Sequence, residues 1–191
     1  MIPEDFVDIN VIDTCALWNL LSSETLFRRS RACKHTYITT QTVLYECFIK
    51  PRSTPATPAQ SALQDRLNSH LETGAIGKIP ISIDDLHEVS KLSNKLGQGE
   101  LSCAAAARKI SKAVMTDNKR DFLAIASLVD GRLQTTPRLL GWLVLRDFLG
   151  DAEVGVIIAE HEAFDGPLGK WYQKAYLEAC EKRLKDKHTP K

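Results

Sequence analysis

Acidic residues that follow predicted strands are the groups in this sequence best suited to chemistry. Asp13 comes directly after the apolar segment Val7–Ile12, and Asp117 comes directly after Ala113–Thr116. Glu100 lies in the first turn of a predicted helix, behind a glycine-rich break. Carboxylates at such positions act either as helix caps or as ligands for hard divalent cations.

Apolar neighbours set two acids apart from ordinary helix caps. Asp13 stands between an apolar strand and Cys15–Trp18, and Glu46 lies within Val43–Phe48. Burial of a carboxylate without a compensating cation is costly. A shared Mg²⁺ or Mn²⁺ ion would offset that cost, so these residues predict a metal site. A capping role is a sufficient explanation for Asp117 taken alone.

Other site chemistries are not indicated. The histidines show neither HxxxH nor Cys/His zinc spacing, and the five cysteines form no CxxC pair, so we interpret the thiols as free and buried. There is no GxxxxGK[ST], and Gly97–Gly99 lacks the third glycine of GxGxxG. An aspartyl-phosphate hydrolase starting at Asp13 is disfavoured, because Cys15 stands where that chemistry needs a second Asp.

The elements that must position the acids alternate between strand and helix. Strands are predicted at Val7–Ile12, Tyr37–Thr39, Lys78–Ile83, Ala113–Thr116 and Leu133–Thr135. Helices are predicted at Ala16–Leu21, Gln41–Ile49 with Thr40 as N-cap, Ala59–Glu72, a segment capped by Asp84, Glu100–Ile110, and Lys119–Leu128. This alternation predicts an α/β fold with a mostly parallel central sheet and helices on both faces. Ligands of such sheets bind at the carboxyl ends of the strands, where the acids lie.

The chain length of 191 residues fits one domain with a C-terminal addition. We predict a core over residues 5–137 and a mainly helical extension over residues 138–191 that packs on the core. The helical extension is predicted from two apolar segments, Leu139–Leu145 and Trp171–Leu177, which Gly166 and Pro167 separate.

Charge and hydropathy limit the partners. The net charge of +1 creates no overall basic field, so a nucleic acid would need a local basic surface or bridging metal ions. No apolar run approaches the roughly 20 residues that span a bilayer. The N-terminus carries Glu4, Asp5 and Asp8 where a signal peptide would be basic. We therefore expect a cytoplasmic protein without a membrane partner.

Four ordered motifs resemble the PIN domain, a Rossmann-like nuclease fold that includes the toxin ribonucleases of VapBC-type toxin–antitoxin pairs. The segments Val11–Thr14, Ile38–Glu46, Gly97–Ala104 and Val114–Phe122 are similar to its motifs, and Thr136–Leu140 resembles the segment after its last strand. The resemblance covers most of the predicted core. Its first and second motifs supply one acid each, and its third occurs here in a Gly-Glu variant.

The resemblance implies a metal-dependent endoribonuclease in which Asp13, Glu46, Glu100 and Asp117 bind Mg²⁺ or Mn²⁺. Thr14 and Thr116 would hydrogen-bond a ligand carboxylate or a metal-bound water. It also implies an RNA substrate, a 5′-phosphate and a 3′-hydroxyl product, a possible antitoxin that binds near the acids, and a possible homodimer formed through surface helices.

One position departs from the family pattern. Members of the family commonly carry an acid two residues after Thr116, and here that residue is Asn118. Asp117 would substitute as the fourth ligand, with Asp121 as an auxiliary acid or as a residue at a helix start, so the fourth ligand stays open among these three. The alternative function is a catalytically weakened PIN-like module that binds RNA or protein.

Overall fold

The computed structural model describes residues 5–51, 55–92 and 96–188. In these ranges five strands form one sheet: β1 (Ile9–Ile12), β2 (Thr36–Thr40), β3 (Ile76–Ile79), β4 (Ala113–Met115) and β5 (Leu133–Gln134). The helices are α1 (Thr14–Ser22), α2 (Glu24–Ala32), α3 (Gln41–Phe48), α4 (Pro58–Glu72), α5 (Ile83–Leu92), α6 (Gln98–Ile110), α7 (Phe122–Leu128), α8 (Thr136–Leu145), α9 (Asp151–Glu162) and α10 (Gly169–His188).

The sheet is parallel throughout, in the order β3-β2-β1-β4-β5, which confirms the predicted α/β class. Its central strands β1 and β4 are almost completely buried, as expected for strands covered on both sides. The chain moves outward from β1 to β3 and then returns to β4 beside β1. The helix α6 packs against β1, β2 and β4, and it also contacts α3, α5 and α7. The order reverses between β1 and β4, and this switch point is where open α/β sheets bind ligands.

Local capping explains where the helices that carry the acids begin. The Thr40 hydroxyl accepts a hydrogen bond from the Val43 amide at 3.3 Å, which confirms Thr40 as the N-cap of α3. By contrast, the N-cap of α6 is Gly97, which has no side chain to cap the helix.

Three predicted boundaries were wrong. The third strand spans Ile76–Ile79 rather than 78–83, because Pro80 has no N–H to donate and Ser82 already starts the next helix. Ser82, not Asp84, caps α5: the Ser82 hydroxyl accepts from the Asp85 amide, and the Asp85 carboxylate accepts from the Ser82 amide.

The helix predicted from Lys119 begins only at Phe122, because Asn118 makes a turn instead. The Asn118 side-chain oxygen accepts a hydrogen bond from the Arg120 amide at 3.2 Å, which is an Asx-turn that competes with the helix. The helix α2, which the sequence analysis did not predict, is capped by Ser23 and buries Leu26 and Phe27.

Contacts divide the chain into two compact units. One contains Val7–Trp18 and His35–Thr135, and therefore the whole sheet; the other contains Asn19–Lys34 and Thr136–Lys191 together with the N-terminal Met1–Phe6. The predicted division into residues 5–137 and 138–191 stays a prediction. Within the described ranges, no helix has both the length and the apolar content needed to cross a membrane.

A buried histidine organises the second unit. His161 Nε2 accepts a hydrogen bond from the Leu168 amide at 3.0 Å, so the neutral ring carries its proton on Nδ1, 2.5 Å from the Ser22 hydroxyl. The ring meets Tyr172 edge-on at 5.0 Å and closes against Gly166 so tightly that no Cβ would fit there. Burial lowers the pKa of His161 from 6.5 to about 4, which keeps the ring neutral as a structural residue.

Candidate functional site

Asp13 lies at the carboxyl end of β1, at the switch point beside β4, and its backbone N–H donates to the Met115 carbonyl. Its side chain is only 2% exposed. Oδ1 accepts a hydrogen bond from the Ala16 amide at 2.8 Å and so caps α1. Oδ2 is buried and has no hydrogen-bond partner among the described residues. The capping role thus uses one carboxylate oxygen and leaves the other for a ligand.

Burial and neighbouring charges act together on Asp13. Its pKa rises from 3.8 to about 7, first because burial disfavours the charged form and then because Asp117 and Glu100 repel it. Hydrogen bonding to Thr116 and to the Ala16 amide opposes the rise without cancelling it. An ionised Asp13 therefore lacks sufficient positive charge around it, which is the condition that a bound cation relieves.

Glu46 projects from α3 and is held by two side chains. The Thr14 hydroxyl donates to Oε2 at 2.6 Å, and Lys50 Nζ lies 3.5 Å from Oε1. Gly99 leaves room for the carboxylate, because a Cβ on Gly99 would lie 2.6 Å from Oε2. The predicted auxiliary residue Thr14 thus contacts a predicted ligand directly, and α6 approaches α3 closely only because residue 99 is glycine.

Glu100 lies in the first turn of α6 and meets the loop after β4. Asn118 Nδ2 donates to Glu100 Oε1 at 3.3 Å and to Asp121 Oδ2 at 2.6 Å. A Cβ on Gly97 would lie 2.5 Å from Glu100 Oε2. The amide that stands where the family pattern has an acid therefore bridges two carboxylates as a neutral donor.

The loop after β4 also brings Thr116 and Asp117 to the switch point. The buried Thr116 hydroxyl accepts a hydrogen bond from the Asn118 amide at 3.1 Å, and it is also one of the groups that lower the pKa of Asp13. The charge of Asp117 raises the pKa of both Asp13 and Cys15. Asp121 occupies the N-cap position of α7, but its side chain does not cap the helix and is held by Asn118 instead.

Sequence reasoning missed a buried hydroxyl pair that fixes the spacing of the acids. Ser102 Oγ lies 2.7 Å from Thr40 Oγ1 and donates to the Gly99 carbonyl at 2.8 Å. Thr40 caps the helix that carries Glu46, whereas Ser102 follows Glu100 by two residues on α6. The pair therefore ties the two acid-bearing helices together. Ser102 is the one hydroxyl residue in the segment Gln98–Ile110, and this was the available signal.

The acidic side chains of α3 and α6 open into a cleft of about 280 Å³. Its walls combine carboxylates with a phenol, an ammonium group and the start of α6; the lining residues are Thr42, Tyr45, Glu46, Lys50, Gly97, Gln98 and Glu100. Glu46 and Glu100 therefore share one solvent-accessible space. The charges of Glu100 and Asp117 both act on Asp13.

These groups fit an oxygen-bound cation that is completed by other ligands. Across residues 5–51, 55–92 and 96–188, no three His, Cys, Asp or Glu side chains are arranged to hold a metal ion by themselves. Mg²⁺ usually takes one or two carboxylates and completes its shell with waters and substrate phosphate. The unpartnered Oδ2 of Asp13 and the two glycines that make room for Glu46 and Glu100 suit such a partial donor set.

The features that sequence reasoning assigned to one site therefore lie in one unit of the chain. Asp13, Glu100 and Asp117 interact through their charges, Glu46 and Glu100 line one cleft, and Asp121 joins through Asn118. When the sequence was compared with protein-family models and with curated proteins, no match was found.

Proposed function

We propose that this protein is a metal-dependent endoribonuclease of the PIN-domain type, and that Asp13, Glu46, Glu100 and Asp117 hold Mg²⁺ or Mn²⁺. One observation carries the proposal: a buried carboxylate at the switch point of a parallel sheet, Asp13, has one oxygen without a partner among the described residues and a pKa raised by burial and then by neighbouring acids. Such an arrangement destabilises the cation-free protein, and destabilising arrangements of charged groups are typical of functional sites.

A bound divalent cation would activate a water and neutralise charge on the scissile phosphate during in-line displacement. The protein's own residues supply the geometry. Thr14 fixes one oxygen of Glu46, and Asn118 fixes one oxygen of Glu100. Asp13 is fixed through the Ala16 amide and keeps Oδ2 open. Asp13, Glu46 and Glu100 thus each have one oxygen held by a neutral donor, which orients the carboxylate without cancelling its charge.

RNA is the proposed substrate because it supplies the phosphate oxygens that complete such a site. The first turn of α6, whose N-cap is a glycine, adds partial positive charge beside the cleft. This charge reduces the repulsion between the phosphate and the carboxylates of Glu46 and Glu100.

A second candidate function is a weakened, non-catalytic module that binds RNA or protein. Asn118 satisfies Glu100 and Asp121 with a neutral amide, and Lys50 places an ammonium near Glu46, so part of the acidic charge is already compensated within the protein. A site of this kind would bind divalent cations poorly.

The deciding experiment is cleavage of a panel of structured and single-stranded RNAs by wild type, Glu100→Gln and Glu88→Gln. Each protein is assayed in Mn²⁺, in Mg²⁺ and in chelator. Glu88 is an exposed acid on α5, so its amide variant makes the same charge change away from the cleft. We expect metal-dependent cleavage by wild type and Glu88→Gln, and a loss of about 100-fold or more in Glu100→Gln, since misplacing a catalytic group costs on this order.

Thermal unfolding separates the two candidates independently of cleavage. A functional site predicts that Mn²⁺ raises the melting temperature of wild type more than that of Glu100→Gln, because binding to the folded state alone stabilises it. Equal cleavage by wild type and Glu100→Gln would refute the nuclease. The absence of both cleavage and Mn²⁺ stabilisation would favour the binding module.

A further inference from the structure

One face of α3 continues beyond the acids and carries side chains that the proposed reaction does not use. Thr42, Glu46 and Lys50 follow one another at four-residue spacing, and Tyr45 lies beside them. All four line the cleft that also contains Glu100. Tyr45 is 45% exposed, so part of its side chain is accessible to a ligand that enters this cleft.

We propose that Tyr45 and Lys50 form a nucleotide-binding subsite next to the acidic residues, in which Tyr45 stacks on a base and Lys50 contacts the adjoining phosphate. The proposal rests on the proposed ribonuclease function and adds to it the residues that seat the substrate. It also assigns the kind of nucleotide that fits, namely one whose base is unstacked from its neighbours.

Charge is the first argument for this subsite. The cleft walls carry two carboxylates, and among the described residues that line the cleft Lys50 is the cationic one. A polyanion that enters this space meets repulsion from Glu46 and Glu100 unless a positive group stands at the entrance. Lys50 lines this cleft, and its backbone N–H donates to the Tyr45 carbonyl just past the end of α3.

The Lys50–Glu46 ion pair is easily exchanged for a pair with phosphate. Its Nζ–Oε1 distance is 3.5 Å, and the lysine side chain is 58% exposed. Exposed pairs at this spacing contribute little to stability, so little is lost when the ammonium turns to another oxygen anion. The same movement frees Glu46 Oε1, so phosphate binding and exposure of the proposed ligand occur together.

Size and shape are the second argument. A cleft of about 280 Å³ lies at the small end of ligand sites, which span roughly 300–1,000 Å³, and it suits a single nucleotide. An exposed aromatic ring binds any base whose face is free, whereas the bases of a duplex are already stacked on one another. Tyr45 therefore favours a single-stranded or splayed nucleotide over a paired one.

The test is fluorescence anisotropy with short labelled RNA in single-stranded and duplex form, measured in Ca²⁺ and again in chelator, with RNA integrity checked afterwards. The full-length variants are Tyr45→Leu, Tyr45→Phe, Lys50→Ala and Lys78→Ala. Lys78 is an exposed lysine on β3 that does not line the cleft, so it controls for the loss of one charge. A single-stranded RNA with scattered abasic positions tests stacking directly.

We expect Tyr45→Leu to weaken single-strand binding by roughly 5- to 150-fold, the range for loss of one base–aromatic stack, and Tyr45→Phe to retain it. The effect of Tyr45→Leu should shrink on abasic RNA. Lys50→Ala should lower the slope of log Kd against log salt by about 0.7, as expected for one lost phosphate contact on a single strand. Lys78→Ala should behave as wild type in both measurements.

Failure of this subsite is distinguishable from failure of the nuclease. Weakened binding in Tyr45→Leu and Lys50→Ala without any metal-dependent cleavage would refute the nuclease and leave the subsite standing. Normal binding by both variants, with cleavage intact in wild type, would overturn the subsite and leave the nuclease standing. Tight binding of duplex equal to that of single strand, or no RNA binding by wild type, would also overturn the subsite.

Discussion

Replacing Asp13 by Asn should stabilise the metal-free protein near neutral pH. The pKa of Asp13 rises from 3.8 to about 7 on folding, a difference of about three, and each pKa unit corresponds to about 1.4 kcal/mol. Keeping Asp13 ionised in the folded state above pH 7 therefore costs about 4 kcal/mol. Asn removes the charge but keeps a side-chain oxygen for the Ala16 amide, and Asn caps helices about as well as Asp.

The pH dependence has a defined direction. Because the folded pKa is the higher one, the protonated carboxyl favours folding most fully below about pH 4, and this contribution disappears as the pH rises through about 7. The difference in unfolding free energy between Asp13→Asn and wild type should therefore grow in favour of the variant, from near zero to as much as about 4 kcal/mol. Urea unfolding in chelator, repeated across this pH range, measures that difference.

A matched variant, Asp85→Asn, should shift stability in the opposite direction. The pKa of Asp85 is lowered to about 2, first by its bond with Lys109 and then by its bonds with Ser82, so its charge favours folding. Destabilisation of the metal-free protein by Asp13→Asn at neutral pH would refute our account, because it would mean that the charge of Asp13 is needed by the fold itself. Mn²⁺ should reduce the advantage of the variant, since only wild type keeps the full donor set.

Three further outcomes are expected. Gly99→Ala should leave the melting temperature unchanged or slightly raised. It should reduce metal-dependent cleavage by about 100-fold, because the new Cβ would lie 2.6 Å from Glu46 Oε2 and displace this carboxylate. Unchanged cleavage would contradict the tight approach of α6 to Glu46. Partial desolvation and the neighbouring carboxylates raise the pKa of Cys15 to about 12, although the residue is exposed at the surface. Mg²⁺ should therefore speed alkylation of Cys15 without affecting Cys33, and equal alkylation rates of Cys15 with and without Mg²⁺, measured by mass spectrometry of the peptides, would contradict this. Acidification from about pH 6.5 to pH 4 should cost about 3 kcal/mol of unfolding free energy through protonation of His161, and a His161→Gln variant with the same pH slope would rule this out.

The sheet and the positions of two acids could be predicted because they depend on local chain properties. Apolar segments of limited length marked the strands, and an acid directly after a strand must lie at its carboxyl end. Asp13 and Asp117 therefore come to the switch point, as the pattern indicated. The bounds of β3 were predicted wrongly because apolar residues continue past Pro80, so hydrophobicity alone did not indicate where this strand begins and ends.

The side-chain partners of the acids could not be predicted in the same way. The Thr14–Glu46 bond joins residues 32 positions apart, and the Thr40–Ser102 contact joins residues 62 apart. Whether such hydroxyls meet depends on how closely two helices approach, to within about an ångström, and a sequence pattern does not specify this distance. Capping signals are different, because they are local. Ser23, directly before Glu24, was such a signal for α2, although the sequence analysis did not predict this helix.

The neutral donors around the acids position these carboxylates within the protein itself. Thr14 and Asn118 hold Glu46 and Glu100 without adding positive charge, and packing by Ser102 keeps the two helices at a fixed distance. The folded arrangement of the acids therefore does not depend on metal, unlike a structural zinc site whose ligands assemble only around the ion. If the proposed site binds a cation, these partly repelling carboxylates would lose their electrostatic strain when a cation and a phosphate arrive together, and the site would then favour transient metal binding in the presence of substrate over permanent occupancy.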